Sequence, residues 1–208
     1  MTDTSVLAAL RAILAELASR GTRCAVVGGL AVSARTVPRF TRDVDLAVSV
    51  ESDAVAEALV AGLISSGYRV LGQLEHADTG RLAAVRLVAP PAVTGSDAGD
   101  ELEAPIVDLL FAVSGVEAEV VAEAELLSLA SDVVAPVARR GHLIALKVLS
   151  AREPRPQDGL DLAALLLGAS EGDLDLARAT LVTIRQRGFH RGKDLAAELE
   201  VALTRRRD

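Results

Sequence analysis

The segment that most constrains this chain is CAVVGGLAVSARTVPRFTRDVDLAV, residues 24–48. An apolar run enters a pair of glycines, and after an arginine-rich stretch a second apolar run carries Asp43 and Asp45. In the second run polar residues alternate with Val44 and Leu46, which is the two-residue period of a strand. The two aspartates therefore lie on one face of that strand. Because buried carboxylates are costly without a cation, either arginines or a metal ion must neutralise this pair.

Hydrophobic periodicity and turn residues predict the other elements. Helices are predicted at 6–17, 30–36 and 54–65, and strands at 23–28, 41–50, 68–71, 81–89 and 106–112. Beyond Gly115 the pattern favours one or two short strands, at 126–129 and 133–137. From about His142 onward it is helical, with breaks at 153–159 and 185–192. The order of strands and helices is typical of an α/β (α+β) protein with a helical C-terminal part.

A third aspartate, Asp108, lies in the strand predicted at 106–112. Mg²⁺ prefers oxygen ligands, and two such ions can clamp the attacking and leaving oxygens of a displacement at phosphorus. The glycine pair Gly28-Gly29 precedes a helix, where backbone amides without side chains suit a phosphate group. The sequence thus predicts a magnesium and phosphate site that involves Asp43, Asp45 and Asp108.

Composition excludes several classes of protein. There is no signal-peptide pattern and no run of about 18 apolar residues, so we expect a cytoplasmic protein that does not enter a membrane. The single cysteine, Cys24, excludes an internal disulfide and is expected to be buried in its strand. The three histidines have no metal-ligand spacing.

The formal net charge of −7 argues against a protein that coats nucleic acid. The charge is uneven, however, because residues 87–138 contain ten acidic residues and no lysine or arginine. Basic residues cluster instead before the aspartates and after Arg185. We expect these basic segments to face any RNA, and the Gly- and Pro-rich segment 90–105 to form an exposed loop.

Two common nucleotide-binding patterns are absent: the chain has neither the dinucleotide-binding G-x-G-x-x-G nor the GK[ST] of a P-loop. Instead, Val27-Gly28-Gly29, a gap of thirteen residues and Asp43-Val44-Asp45-Leu46 resemble the nucleotidyltransferase superfamily of DNA polymerase β type. In that pattern a third carboxylate on a later strand corresponds to Asp108.

Residues further along the chain restrict the resemblance to a smaller class within this superfamily. Arg39-x-Thr41-x-Asp43-x-Asp45 and the downstream HLIALKVLSAREPRPQDGLDLAALL are similar to the AbiEii/AbiGii toxin class of nucleotidyltransferases. Members of that class carry a lysine, a following arginine and a D-x-x-D-L motif. The matching residues are Lys147, Arg152, Asp158 and Asp161, while Gln157 stands where many members have lysine.

This resemblance implies a minimal polymerase β-type nucleotidyltransferase core with a mixed sheet at residues 1–115, and a mostly helical lobe at 116–208 that completes the active site. It implies transfer of a nucleoside monophosphate from an NTP to an acceptor with release of pyrophosphate. Asp43, Asp45 and Asp108 would hold two Mg²⁺ ions, and Gly28 and Gly29 would hold the phosphates. Lys147, oriented by Asp161 and assisted by Arg39 or Arg42, would neutralise the triphosphate.

The resemblance also implies a toxin with tRNA as its acceptor and an antitoxin encoded nearby. Two alternatives remain open at this point. The acceptor could be a small molecule or a protein side chain, or the chain could be a non-catalytic nucleotide-binding regulator. The presence of all three aspartates favours an enzyme, because a binding protein does not need the full set.

Overall fold

A computed structural model of the chain describes residues 4–76, 80–90, 105–151 and 156–205, and all structural statements concern these ranges. The strands are β1 (Arg23–Val26), β2 (Asp43–Ser49), β3 (Arg69–Glu75), β4 (Leu82–Val88), β5 (Ile106–Leu110), β6 (Glu125–Ala130) and β7 (Val133–Val137). The helices are α1 (Thr4–Ser19), α2 (Gly28–Arg35), α3 (Asp53–Ser65), α4 (Glu117–Ala122), α5 (Arg140–Ser150), α6 (Pro156–Leu167), α7 (Glu171–Gln186) and α8 (Leu195–Arg205).

The seven strands form one mixed sheet in the order β3-β4-β5-β2-β1-β7-β6. The central strand β2 pairs antiparallel with β1 and parallel with β5. Its apolar residues Val44, Leu46 and Val48 are completely buried. The alternate residues, starting with Asp43, therefore point to the other face of the sheet. The α/β class with a mixed sheet is confirmed.

Local sequence explains where several helices begin. Ser52 precedes α3 and accepts a hydrogen bond from the backbone amide of Val55. Ser170 and Asp173 form a reciprocal capping box at the start of α7. Such caps satisfy amides that have no partner within the helix. The capping box starts a new helix, so α6 and α7 are separate where the sequence pattern predicted continuous helix.

The chain after residue 116 contributes strands as well as helices. Helix α4, which was not predicted, has only six residues and so is too short for a helical period to be visible in the sequence. The hairpin β6–β7 then joins the sheet through the parallel pairing of β7 with β1. Helices α5 to α8 follow, with α5 in contact with α6, α7 and α8. Most of the predicted loop at 90–105 lies outside the described residues.

Candidate active site

Three aspartates share one face of the sheet and lie on neighbouring strands. Asp43 and Asp45 are two residues apart on β2, and Asp45 is in register with Asp108 on β5. Sequence alternation predicted that the first two point the same way, and the parallel pairing of β2 with β5 adds the third. The sheet therefore places three carboxylates close together.

Arg86 completes this row of charged side chains. It lies opposite Asp108 on β4, and its Nε and Nη2 donate to the two carboxylate oxygens of Asp108 at 2.9 and 2.7 Å. This bidentate pair is the strong geometry for a guanidinium and a carboxylate. Burial of the pair is unequal, since the side chain of Arg86 is 51% exposed and that of Asp108 is 14% exposed.

The donor set suits a hard divalent cation, because carboxylate oxygens are what Mg²⁺ binds. The guanidinium of Arg86 already places a positive charge next to these carboxylates. No three acidic, histidine or cysteine side chains among the described residues converge as a metal site requires. The three aspartates fit a metal ion by their chemistry and by their positions on neighbouring strands, and Asp108 is paired with Arg86 in this structure.

Electrostatics supports the need for a cation at this site. Burial and the charges of Asp108 and Asp43 raise the pKa of Asp45 to about 6, although Lys147 and the amide of Gly29 act to lower it. Burial also raises the pKa of Asp43, with the charges of Arg86 and Arg42 opposing the shift. Crowded carboxylates resist joint ionisation unless a positive charge joins them.

The first glycine of the pair fits tightly against the second aspartate. Gly28 has φ +60°, and a Cβ atom there would overlap the carboxylate of Asp45. The amide of Gly29 donates a hydrogen bond to the same carboxylate. Glycine at position 28 thus allows the start of α2 to approach Asp45 directly. Both predicted phosphate-binding amides lie beside the carboxylates.

Lys147 on α5 is held by two carboxylates of α6. Its Nζ lies 2.8 Å from Oδ1 of Asp158 and 2.8 Å from Oδ2 of Asp161. The side chain of Asp161 is only 1% exposed and also accepts from Arg39 at 2.8 Å and from Gln157 at 2.9 Å. The contact between Asp161 and Lys147 is the one that the resemblance implied.

These contacts shift the acidity of Asp161. Burial acts to raise its pKa, but the hydrogen bonds from Lys147, Arg39 and Gln157 outweigh burial and leave the pKa below its ordinary value. The other carboxylate, Asp158, lies in the first turn of α6 and keeps a buried oxygen, Oδ2, without a hydrogen-bond partner among the described residues. Arg152 lies outside the described residues.

The two arginines of the loop before β2 have different surroundings. Arg39 joins the loop to α6 through Asp161, and its Nη2 lies 3.0 Å from where a Cβ of Gly29 would be. Arg42 is exposed, with its guanidinium 5.6 Å from the centre of the Phe40 ring. Arg39 is thus part of the lysine cluster, whereas Arg42 remains at the surface near Asp43.

A cavity of about 160 Å³ opens beside Asp45 and Lys147. It lies between the aspartate-bearing face of the sheet, α4, α5 and the connection from α7 to α8, and most of its wall is apolar. The residues that line it are Val27, Gly28, Asp45, Ala47, Leu110, Val113, Ser114, Glu117, Val120, Leu143, Leu146, Lys147, Leu149, Ser150 and Arg191. The cavity therefore joins the charged site to an apolar compartment.

The basic residues after Arg185 mostly make contacts within the protein. Arg187 pairs with Glu119 and donates to the carbonyl of Gly115. Lys193 donates to backbone carbonyls at the end of α5 and to Glu198. Arg187 and Lys193 therefore fasten the α7–α8 connection to the rest of the fold, a role that sequence alone did not indicate.

Sequence reasoning missed Arg86, Gln157 and Glu117 as parts of the site. Gln157 was noted only for replacing a lysine, and its role follows from its contact with Asp161. Arg86 is the one charged residue of the otherwise apolar strand β4, which is an available signal, since such a charge on the same face as Asp108 needs a partner. Glu117 is the first residue of the short helix α4 and belongs to no recognisable sequence pattern.

The chain is similar to several solved structures. An antigenic nucleotidyltransferase-like protein from Paracoccidioides brasiliensis is 18% identical over 96% of this chain and 94% of its own, with a TM-score of 0.51. The antibiotic-resistance factor ANT(2'')-Ia is 22% identical over 99% and 92%, with a TM-score of 0.46. The lincosamide antibiotic adenylyltransferase LnuA is 14% identical over 76% and 94%, with a TM-score of 0.45. No match was found among curated protein sequences.

The first of these likenesses shows that the fold is that of a nucleotidyltransferase-like protein. The amino-acid sequence identifies the family to which the chain belongs. The model of the family described as nucleotidyl transferase AbiEii toxin, type IV toxin–antitoxin system, matches residues 11–208, and the chain belongs to that family. The resemblance inferred from the motifs is confirmed, and the chain is a nucleotidyltransferase. None of the helices within the described ranges is long and apolar enough to cross a membrane.

Proposed function

We propose that this protein is the Mg²⁺-dependent, cytoplasmic toxin of a toxin–antitoxin system that transfers a nucleoside monophosphate from an NTP to tRNA. The observation that carries the catalytic part is the row of Asp43, Asp45 and Asp108 beside the Gly28-Gly29 turn. Carboxylates for a cation and amides for phosphate are the two parts that transfer from a triphosphate requires.

Each residue of the site has a proposed role. Asp43 and Asp45 hold the metal, which lowers the negative charge around the reacting phosphorus when it is bound. Gly28 and Gly29 offer their amides to the phosphates of the NTP. Asp108, once released by Arg86, shares the metal and accepts the proton of the attacking hydroxyl.

Lys147 supplies the positive charge of the helical part. Its Nζ is held by Asp158 and Asp161 at the edge of the cavity that Asp45 also lines. Two carboxylates that share one lysine leave the local charge negative, and Arg39, which is paired with the buried Asp161, balances it. We propose that Lys147 and Arg39 neutralise the triphosphate, with residues 1–115 as the core and 116–208 closing over the nucleotide.

The choice of tRNA rests on the family and on local charge. An acidic protein must present a positive surface to RNA, and Arg42 and Arg86 are exposed beside the carboxylate row. Arg42 lies over the Phe40 ring, and its charge also acts on Asp43. The type IV toxin–antitoxin assignment of the family supports an antitoxin partner.

The proposal is tested by incubating the protein with Mg²⁺, each α-labelled NTP and total RNA, protein extract or small-molecule hydroxyl compounds. Label that enters tRNA with one NTP supports the proposal. Label that enters a protein or a small molecule keeps the enzyme and replaces the acceptor. Expression with and without the neighbouring gene then tests toxicity and its neutralisation.

A further inference from the structure

Glu117 is a buried carboxylate that lines the cavity next to the carboxylate row. The residue is 6% exposed and stands at the first position of α4. Its Oε1 accepts three hydrogen bonds, from the amides of Val113 and Ser114 at 2.8 and 2.7 Å and from the hydroxyl of Ser114 at 2.9 Å. One oxygen alone therefore fixes the loop between β5 and α4.

The second oxygen has no such use. None of the hydrogen bonds found among the described residues reaches Oε2 of Glu117, and this oxygen is not one of the side-chain atoms that are closed off from solvent without a partner. The residue lines a cavity whose wall is mostly apolar. Oε2 is therefore the oxygen of Glu117 that is available to a molecule in the cavity.

The position of Glu117 indicates what kind of group would meet Oε2. The same cavity is lined by Gly28, Asp45 and Lys147, the residues proposed to hold the phosphates and the metal. The rest of the wall, which includes Glu117, Leu110 and Val120, is mostly apolar. A nucleoside attached to the triphosphate would lie against this part, because its flat base suits an apolar wall with a few polar groups.

The loop between β5 and α4, which Glu117 fixes, is also bound by a residue of the α7–α8 connection. Arg191 lines the cavity and donates from Nη2 to the carbonyl of Val113 at 3.2 Å. It has φ 55°, an uncommon conformation for a residue other than glycine. Contacts from both sides give the Glu117 carboxylate a defined position, which recognition of a hydrogen-bond donor requires.

We propose that Glu117 is a specificity-determining residue whose Oε2 accepts a hydrogen bond from the nucleoside of the NTP. This inference rests on the proposed function and adds the recognised chemistry, a donor that is either an amino group of the base or a hydroxyl of the ribose. A site with a hydrogen-bond acceptor in a mostly apolar wall discriminates against nucleotides that lack the matching donor.

The substitution Glu117→Gln tests this directly. The three donors around Oε1 require an acceptor there, so the glutamine carbonyl takes that place and its NH₂ group replaces Oε2. The loop is kept, while the group that faces the cavity changes from an acceptor into a donor. The thermal midpoint should stay within a few degrees of the wild-type value, which checks that the loop is intact.

The readout is the ranking of nucleotides. Calorimetry with Mg²⁺ and α,β-methylene analogues of the four NTPs measures binding without turnover. We expect E117Q to bind the nucleotide that the wild type prefers roughly tenfold more weakly. The order of the four changes if the donor belongs to the base. A ribose donor is common to all four and weakens them together, and the deoxy analogues then separate that case from a merely structural loss, which would not depend on the ribose hydroxyls.

Analogue nucleotides distinguish the two sources of the donor. If a ribose hydroxyl is the donor, the wild type should bind the 2'-deoxy or 3'-deoxy analogue more weakly than the parent nucleotide. E117Q should then bind the analogue and the parent nucleotide equally well. If a base amino group is the donor, inosine and uridine analogues show this pattern instead. Should E117Q fail to fold, Glu117→Asp draws the carboxylate back by one methylene and is measured in the same way.

Equal affinities and an unchanged ranking in the folded variant would overturn the role of Glu117 while leaving the proposed function standing. If the wild type binds none of the four analogues in the presence of Mg²⁺, the proposed function fails, and the inference fails with it.

Discussion

Arg86 and Asp108 face each other across β4 and β5 and are joined by two hydrogen bonds of 2.9 and 2.7 Å. The hydrogen bonds that Arg86 donates to Asp108, together with the charges of all three aspartates, raise the pKa of the guanidinium. Arg86 therefore acts as the counter-ion of the carboxylate row when no metal is bound. Because half of its side chain is exposed, it can move into solvent when a metal competes for Asp108.

Replacing Arg86 should therefore strengthen metal binding. An exposed ion pair contributes up to about 1 kcal/mol, so Arg86→Gln should bind Mg²⁺ or Mn²⁺ roughly fivefold more tightly. The same variant should melt at a lower temperature in EDTA, since the carboxylates then lose their counter-ion. Calorimetric titration and thermal unfolding measure the two effects.

The control is Arg178→Gln, which removes the same charge from an exposed pair with Asp175 on α7. It should change neither metal affinity nor stability in EDTA by more than a small amount. Metal affinity that is the same in R86Q and the wild type would show that Arg86 does not compete for Asp108.

The close contact between Gly28 and Asp45 predicts a steric effect. Alanine at a left-handed position costs about 1 kcal/mol of stability from its backbone alone. Gly21 has φ +66° with no atom near its Cβ position, so Gly21→Ala should show that cost only. Gly28→Ala, at φ +60°, must in addition displace the carboxylate of Asp45 and should lose more stability and nearly all nucleotidyl transfer.

Urea unfolding and the transfer assay compare the two variants. Equal losses of stability, together with activity retained in G28A, would contradict the tight approach of α2 to Asp45.

Asp161 predicts how stability depends on pH. Its folded-state pKa lies below the ordinary value, so the unfolded state binds the proton more readily. The stabilisation by Lys147 and Arg39 is therefore complete above the unfolded pKa and is lost as pH falls through the folded pKa. Asp161→Asn lacks this pH-dependent stabilisation. Because it breaks a buried ion pair, it should lower the free energy of unfolding by about 3 kcal/mol.

The difference in unfolding free energy between wild type and D161N should thus be largest near pH 7 and shrink below about pH 4. Asp175→Asn, in an exposed pair, should differ little from wild type at either pH. A D161N penalty that does not vary between pH 7 and pH 3 would contradict the charge-based role of Asp161.

Arg42 is the basic residue best placed to test the RNA surface. It is exposed near Asp43 and its guanidinium lies over the Phe40 ring, so Arg42→Gln should leave the fold intact. If the acceptor is RNA, the variant should bind it more weakly, with a salt dependence smaller by about one unit of slope. Arg187 and Lys193 are unsuitable for this test because their neutralisation would release the α7–α8 connection.

RNA affinity is measured by filter binding over a range of salt concentrations, with Arg178→Gln as the control for net charge. NTP affinity should remain at the wild-type level in both variants. An unchanged salt slope in R42Q would remove Arg42 from the acceptor surface.

Much of the site was predictable because strands have a strict period. Alternation on β2 placed Asp43 and Asp45 on one face, and motif order selected Asp108, Lys147 and Asp161. The pairing between Arg86 and Asp108 depends on the register of β4 with β5, which local sequence does not specify. Helix α4 and the cavity depend on packing between distant segments, and so Glu117 could not be found from the chain alone.

The measurement that tests the central claim most directly compares wild type with Asp45→Asn in the transfer of label from α-labelled NTPs to RNA. Asn keeps the shape of the side chain and removes a charge that Asp43 and Asp108 repel, so D45N should be at least as stable as the wild type at pH 7. We predict Mg²⁺-dependent labelling by the wild type and a loss of at least about a hundredfold in D45N. Undiminished labelling by folded D45N, or no labelling of any acceptor by the wild type with all four NTPs, would contradict the account.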